Sequence, residues 1–426
     1  MTSRSYSATW AFILGHFLVF VGVFSAPTVA AEERSDPIVD VEIEGLERTR
    51  ESVVLGELAF DKGEPATDAE LQETERRLRN LPMFRDVTIG VRDLDDRGRK
   101  LAISVEERWT LLPSANFSRT DDTTLIRIGA REVNLLGHFV EVGAAYERLT
   151  GLNSGEVWFQ NPRFLGRRLD VALDAEFRNR VYPSYDDAGD LDGGFAIRRI
   201  GFSGQALQEL SPWLHVGGRL QWLSDRPSLD PISDELAPST RLLKPGLLAR
   251  IGQINHLGLV MGGATLDLRL SGAHRSIGST ESFTTVDAEL LGARSFPLQS
   301  NALGRFNIGR TGAQSQQHQL FVGGLDEVRS LQDMRFRGTH RWVANAEYRI
   351  PSFGNRWLML QHVFFTDAGA IGDDGGDLLG VDVLSAGIGL RLMSPRVHGL
   401  VIRLDYAFPI HGDGSAPLSF GSRQFF

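Results

Sequence analysis

The sequence contains no cysteine. This absence excludes a disulfide framework, a thiolate nucleophile, a cysteine-ligated zinc ion and a lipid anchor on an N-terminal cysteine. No run of basic residues is present and the net charge is −9, so nucleic acid is not an expected partner. After the first 30 or so residues the chain also lacks apolar stretches of the ~20 residues that a spanning helix needs, which excludes a bundle of membrane helices.

Sequence motifs of common catalytic sites are missing as well. We find no G-x-x-x-x-G-K-[ST], no H-E-x-x-H and no G-x-S-x-G, and the ten histidines are dispersed. The acidic segment 373–377 lacks the spacing of a calcium-binding loop and is better explained as a polar loop. We therefore expect a protein that is not an enzyme, with no catalytic residue, no cofactor and no metal site.

The first 31 residues have the pattern of a secretory signal peptide. Arg4 supplies a positive charge, an apolar stretch runs from Trp10 to Phe24, and small residues near Ala31 suit cleavage. The alternative is a membrane anchor, but the apolar stretch is shorter than the ~20 residues of a spanning helix and contains His16. We expect residues 1–31 to be removed.

Residues 36–107 predict a small domain with the order β-α-α-β-β. A short strand at 38–43 precedes a helical stretch over 51–60, and Thr67 with Glu70 has capping-box spacing at the start of a second helix. Two alternating strands follow, so two helices would cover one face of a three-stranded sheet. Most charged residues here are expected on solvated faces, and the function of such a domain would be binding.

Residues 109–426 repeat one pattern, in which apolar and polar residues alternate over 8–12 positions before a turn. Leu404 and Tyr406, for example, flank Asp405, and Tyr348 and Ile350 flank Arg349. A period of two with full charges on one face is typical of a membrane β-barrel, with apolar side chains toward lipid and charged ones toward a wet lumen. We count 16 strand candidates, an even number as antiparallel closure requires. The alternative is a large soluble sandwich or propeller. The sequence lacks the blade-length repeat of a propeller, and a soluble fold does not explain the aromatic end of the chain.

The end of the chain supports the barrel interpretation. Phe420 and the terminal Phe426 place aromatic residues on the expected last strand, which also contains Gly421. We interpret this aromatic strand as an insertion signal for the outer membrane of a Gram-negative-type bacterium.

Several motifs together resemble one family. V-E-I-E-G-L-E-R-T at 41–49, R-R-L-R-N-L-P-M-F-R-D-V at 76–87 and L-A-I-S-V-E-E-R at 101–108 look like a POTRA (polypeptide-transport-associated) domain. In the barrel half, five segments resemble motifs of the BamA-like outer-membrane assembly and secretion superfamily, also called the bacterial surface antigen family. They are G-G-L-D-E-V-R-S-L at 323–331, F-R-G at 336–338, F-F-T-D-A-G-A at 364–370, G-I-G-L-R-L-M-S-P at 387–395 and L-V-I-R-L-D-Y-A-F-P at 400–409.

The resemblance implies a lid. In this family a V-R-G-[FY] loop folds back into the barrel, and its arginine contacts acidic residues of the inner wall. Carried over, the lid motif is Val328, Arg329, Ser330 and Leu331, with Asp367 as the wall partner; Ser330 and Leu331 depart from the family's glycine and aromatic residue. The alternative for Arg329 is an exposed residue of an extracellular loop.

The resemblance also implies a seam between the first and last barrel strands that opens and templates a client strand. Here it would join a strand near 109–120 to 418–426, where Gly421 would serve either to weaken pairing or simply to pack. The resemblance leaves two functions open, which are the insertion or assembly of outer-membrane proteins and the secretion of a partner through the lumen. An enzyme or a passive channel would be a third class of function. Expected partners are unfolded outer-membrane or secreted proteins, membrane lipid and periplasmic accessory proteins, with residues 36–107 in the periplasm.

Overall fold

The computed structural model describes residues 36–94, 98–119, 124–149, 151–186, 190–228, 236–257, 260–324, 327–397, 400–412, 414 and 418–422. The predicted signal peptide and Phe426 lie outside the described residues. Neither α-helix in the described ranges is long and apolar enough to cross a membrane.

The N-terminal domain has the predicted order β-α-α-β-β. Its three-stranded sheet has the order β1-β3-β2, in which β1 runs parallel to β3 and β2 antiparallel to it. The elements are β1 (Ile38–Glu44), α1 (Glu51–Leu55), α2 (Asp68–Asn80), β2 (Phe84–Asp93) and β3 (Arg99–Glu107).

Local sequence explains both helices. The Thr67 side chain accepts a hydrogen bond from the Glu70 backbone, and the Glu70 side chain caps Thr67 in return, so the predicted capping box is present. Helix α1 is shorter than the predicted stretch over 51–60, because it ends at Leu55 with Gly56 as its C-cap. Leu78 and Met83 are fully buried in the core between the helices and the sheet.

The remaining chain forms a closed barrel of 16 strands in which all neighbours are antiparallel, so the predicted fold class is confirmed. Two further short strands, β15 (Leu320–Val322) and β16 (Phe336–Gly338), form a separate antiparallel pair. The strands after β3 are β4 (Leu111–Arg119), β5 (Thr124–Glu132), β6 (Glu141–Leu149), β7 (Leu152–Asn161), β8 (Leu169–Tyr185), β9 (Leu191–Ser211), β10 (Leu214–Ser228), β11 (Thr240–Leu257), β12 (Val260–Ala273), β13 (Phe283–Phe296), β14 (Ser300–Thr311), β15 (Leu320–Val322), β16 (Phe336–Gly338), β17 (His340–Gly354), β18 (Met359–Gly372), β19 (Val383–Met393), β20 (Val401–His411) and β21 (Leu418–Ser422).

Burial along the strands is inverted relative to a soluble protein. On β20, Leu404 and Tyr406 are 43% and 44% exposed, whereas Asp405 between them is 1% exposed. Arg349 on β17 is likewise buried while its neighbours Tyr348 and Ile350 face outward. An apolar exterior around a charged interior is the arrangement of a barrel that stands in lipid.

Candidate functional site

The segment between β14 and β17 carries the predicted lid motif into the barrel. Arg329 is 1% exposed, so it is not an exposed loop residue. Its guanidinium forms a bidentate pair with the Asp367 carboxylate of β18, with Nε–Oδ2 at 2.8 Å and Nη2–Oδ1 at 2.7 Å. The same guanidinium stacks on the Phe365 ring, 3.5 Å from its centroid. Fork geometry and stacking together fix the orientation of the arginine.

Further charged residues of the wall, for which the sequence predicted no contact with the lid motif, complete this cluster. Nη1 of Arg329 lies 2.5 Å from Glu347 and 3.6 Å from Asp405. Arg391 bridges the same two carboxylates, at 2.5 Å from Asp405 and 3.2 Å from Glu347. Arg349 pairs with Glu347 at 2.6 Å.

The side chains that form these ion pairs are matched in number. Three arginines (329, 349 and 391) face three carboxylates (347, 367 and 405), and each of these side chains is at most 3% exposed. Buried ions are tolerated when each has a partner, and removal of one partner leaves the others uncompensated. The lid is therefore held to strands β17, β18 and β20 by a mutually dependent ionic network.

The lid also reaches the opposite wall. Asp333, four residues after Arg329, pairs with Arg180 on β8. Around the ring of 16 strands, β8 and β18 are eight strands apart in either direction. Earlier in the same segment, His318 Nε2 lies 2.8 Å from Thr240 Oγ1 at the start of β11. The segment thus spans the lumen and is tied to both sides.

Apolar residues of the motif pack beneath the arginine. Val328 and Leu331 lie in a buried cluster with Val322 of β15, Val343 of β17 and Val383 of β19. Leu331 thus packs in an apolar site at the position where the family motif has an aromatic residue.

Ser330 is fully buried, and its hydroxyl has no hydrogen-bond partner among the described residues. We expect Ser330→Ala to raise the free energy of unfolding by about 1 kcal/mol, because a buried hydroxyl without a partner is unfavourable. Thermal unfolding in detergent would measure this. In the control, Ser279→Ala should destabilise, since Ser279 Oγ accepts from the Leu243 amide at 2.9 Å and donates to its carbonyl at 3.1 Å. A destabilised Ser330→Ala protein would contradict the prediction.

The predicted seam lies between β4 and β21. Within the described residues these strands share one registered pair, Phe117 with Phe420. On their other sides, β4 pairs with β5 at nine positions and β21 pairs with β20 at five. Among the described residues, the ladder of the barrel is thus shortest at this junction.

Gly421 has a packing role at the seam. A Cβ atom there would lie 3.0 Å from Nε of the buried Arg403 and 3.4 Å from Oδ1 of Asn116 on β4. The glycine makes room for the arginine, which favours the packing alternative over weakened pairing.

Charged contacts dock the N-terminal domain against one end of the barrel, a feature that the sequence did not predict. Glu57, after α1, forms a bidentate pair with Arg163 in the turn between β7 and β8, both distances being 2.6 Å. Arg77 of α2 reaches Glu209 of β9 at 2.6 Å and Glu73 at 2.7 Å. Burial alone would raise the pKa of Glu73, but hydrogen bonds and charges of the two neighbouring arginines of α2 outweigh it and lower that pKa.

Reversing the charge of Glu57 should undock this domain. Glu57 is 1% exposed, so Glu57→Arg would bury two facing guanidinium groups, a change that costs about 2–5 kcal/mol for such pairs. Spin labels can be placed on cysteines introduced at Asp61 and Arg167, because the chain has no native cysteine. The distribution of distances between the two labels should become longer and broader. The double variant Glu57→Arg/Arg163→Glu should restore the original distance. An unchanged distance in the single variant would show that this pair does not hold the domain.

Comparison with known proteins agrees with this architecture. Residues 134–422 match the Omp85 superfamily domain, and residues 37–108 match POTRA, described as a surface antigen variable number repeat. The chain belongs to the Omp85 superfamily. It is therefore an outer-membrane β-barrel with one POTRA domain. No curated protein sequence matches the chain.

Solved structures show the same fold at low sequence identity. CdiB from Escherichia coli is 12% identical with a TM-score of 0.60, over 99% of this chain and 98% of that one. BamA from Haemophilus ducreyi lacking POTRA domains 1–3 is 14% identical with a TM-score of 0.55, over 92% and 85%. CdiB from Acinetobacter baumannii is 14% identical with a TM-score of 0.59, over 91% and 73%.

Proposed function

We propose that this protein assists the insertion or assembly of outer-membrane proteins. The POTRA domain, in the periplasm, captures a strand of an unfolded client, and the seam between β4 and β21 then templates it. The observation that carries the proposal is the seam itself, where the described residues form a single registered pair. The first and last barrel strands meet at this junction, and a strand edge that opened there would pair readily with another strand.

Two further features support the proposal. Strand β2 forms one edge of the POTRA sheet, with β3 as its partner among the described residues, so its outer edge suits an extended peptide. The lid spans the lumen between β8 and β18, which leaves the wall rather than the interior as the route for a client. Templating of this kind requires neither a catalytic residue nor a cofactor.

An insertion assay tests the proposal. The protein would be reconstituted into liposomes and offered urea-unfolded outer-membrane proteins, with ion conductance recorded in parallel. Faster client insertion than in empty liposomes would support assembly. The protein could instead fail to accelerate insertion relative to empty liposomes, while the Arg329→Ala variant showed a higher conductance. Secretion through the lumen would then replace the assembly proposal.

A further inference from the structure

Arginine and tryptophan side chains gather at the POTRA end of the barrel, directly below the seam. Arg48 and Arg108 come from the POTRA domain, Trp109 precedes β4, and Arg396 lies in the turn between β19 and β20. These four residues line a recess of about 270 Å³. Trp357, in the turn between β17 and β18, contacts Arg396 beside it.

Aromatic rings hold two of the guanidinium groups in place. Cζ of Arg396 lies 3.4 Å from the centroid of the Trp357 ring, and Cζ of Arg48 lies 5.0 Å from that of Trp109. The Trp109 amide also donates a hydrogen bond to the Arg396 carbonyl at 3.1 Å. Stacking restricts these arginines without occupying their N–H donors, so a ligand that binds them loses less conformational entropy.

The acidic residues of the recess are mostly engaged elsewhere. Glu107 accepts hydrogen bonds from the backbone amides of residues 47, 48 and 49 at 3.2, 3.1 and 2.9 Å. Glu106 is exposed but pairs with Arg85, and Glu47 is a further exposed acid at the rim.

The arginines, in contrast, are not engaged by carboxylates within the described part of the chain. Arg108 donates from Nε to the Pro82 carbonyl at 2.7 Å, and burial lowers its pKa to about 10, so it stays charged at neutral pH. In the described ranges, no ion pair joins a carboxylate to any of the three arginines Arg48, Arg108 and Arg396. The recess therefore has spare cationic donors.

The position of the recess relative to the apolar exterior indicates what meets it. Trp109 and Trp357 are 47% and 54% exposed, and next to them Leu111 and Leu358 begin the outward apolar band. Exposed tryptophans at the edge of such a band lie at the level of the lipid headgroups.

We propose that this recess binds the phosphate of an anionic glycerophospholipid in the periplasmic leaflet, at the foot of the seam. Arginine N–H groups bind phosphate oxygens through charge-assisted hydrogen bonds, and the two tryptophans flank the glycerol region. The site rests on the proposed orientation, with the POTRA domain in the periplasm. A lipid held there would lie beside the strand edge at which a client is proposed to enter the membrane.

Lipid retention by the full-length protein tests the site. The protein would be extracted from phosphatidylcholine vesicles with and without phosphatidylglycerol, and bound lipid would be counted by native mass spectrometry. We expect preferential retention of phosphatidylglycerol, which each of Arg48→Gln, Arg108→Gln and Arg396→Gln weakens about fivefold. Heat-modifiable migration on gels would verify that each variant is folded.

Arg294→Gln is the matched control. Arg294 lies at the same end of the barrel, its Cζ 5.4 Å from the Phe296 ring, but outside the recess. This variant should retain lipid as the wild type does. Equal retention of both lipids, or an equal loss in the control, would overturn the site. Displacement of the lipid by millimolar inorganic phosphate would assign the recess to a soluble phosphate compound instead. Since no client is present, failure here is distinct from failure of the assembly function.

Discussion

A disulfide across the seam is expected to abolish client insertion while the barrel stays in the membrane. Phe117 of β4 and Phe420 of β21 form the registered pair, and both side chains face outward, at 44% and 40% exposure. Residues directly opposite each other on antiparallel strands have Cβ atoms about 4.5–5.5 Å apart, which a disulfide can bridge with a small backbone shift. Because the chain has no native cysteine, Phe117→Cys/Phe420→Cys would create a single defined cross-link.

The expected effect is large because a covalent bond removes the opened state altogether. Client insertion into liposomes, measured before and after reduction with dithiothreitol, should fall to the level of empty liposomes when oxidised and recover when reduced.

A neighbouring disulfide provides the control. Leu404 on β20 is registered with Phe420 from the other side and is equally outward-facing, at 43% exposure. Leu404→Cys/Phe420→Cys therefore shares one cysteine with the seam pair but leaves the seam free, and insertion should persist. Full activity of the oxidised seam variant would show that clients do not use the seam and would favour secretion through the lumen.

The fold was predictable because its signal is local. Alternation of Leu404, Asp405 and Tyr406 shows a strand with two unlike faces, and the full charge on one face distinguishes a lumen from a soluble core. Strand number follows from counting such segments. What alternation does not give is register, since a shift of two residues leaves the pattern of faces unchanged.

That limit explains which parts of the site were missed. The juxtaposition of Arg329 with Asp367 could be expected only from a resemblance to family motifs. Glu347 and Arg391 were readable as inward-facing residues of strands, but their meeting depends on register and on the folded lid.

Docking of the POTRA domain was missed for a related reason. Arg77 lies on helix α2, and the periodicity of that helix shows only that Arg77 is outside the core of its own domain. From this position we expected a solvated side chain. Its side chain is 5% exposed because the barrel rim covers it and supplies Glu209. Contacts between two units leave no periodic trace in either sequence.

Replacement of the lid arginine is expected to have the second large effect, this time on stability and conductance. Arg329→Ala would leave the buried Asp367 carboxylate without the guanidinium that pairs with it, and Glu347 and Asp405 with one cation fewer beside them. Removing one partner of a buried ionic network costs about 3–5 kcal/mol. The lid tip should leave Asp367, so single-channel conductance should rise while the barrel remains inserted, and heat-modifiable unfolding should occur at a lower temperature.

Three variants separate this cause from general damage. Arg337→Ala removes an exposed arginine of the same segment, hydrogen-bonded to Gln316, and should resemble the wild type. Arg329→Lys keeps the charge but loses the fork and should be intermediate. Arg329→Ala/Asp367→Asn removes one charge of each sign and should recover part of the stability, since the carboxylate left without its guanidinium is then an uncharged amide. If Arg329→Ala kept wild-type conductance and unfolding temperature, the network would not be what holds the lid, because a buried charge imbalance must register in at least one of these measurements.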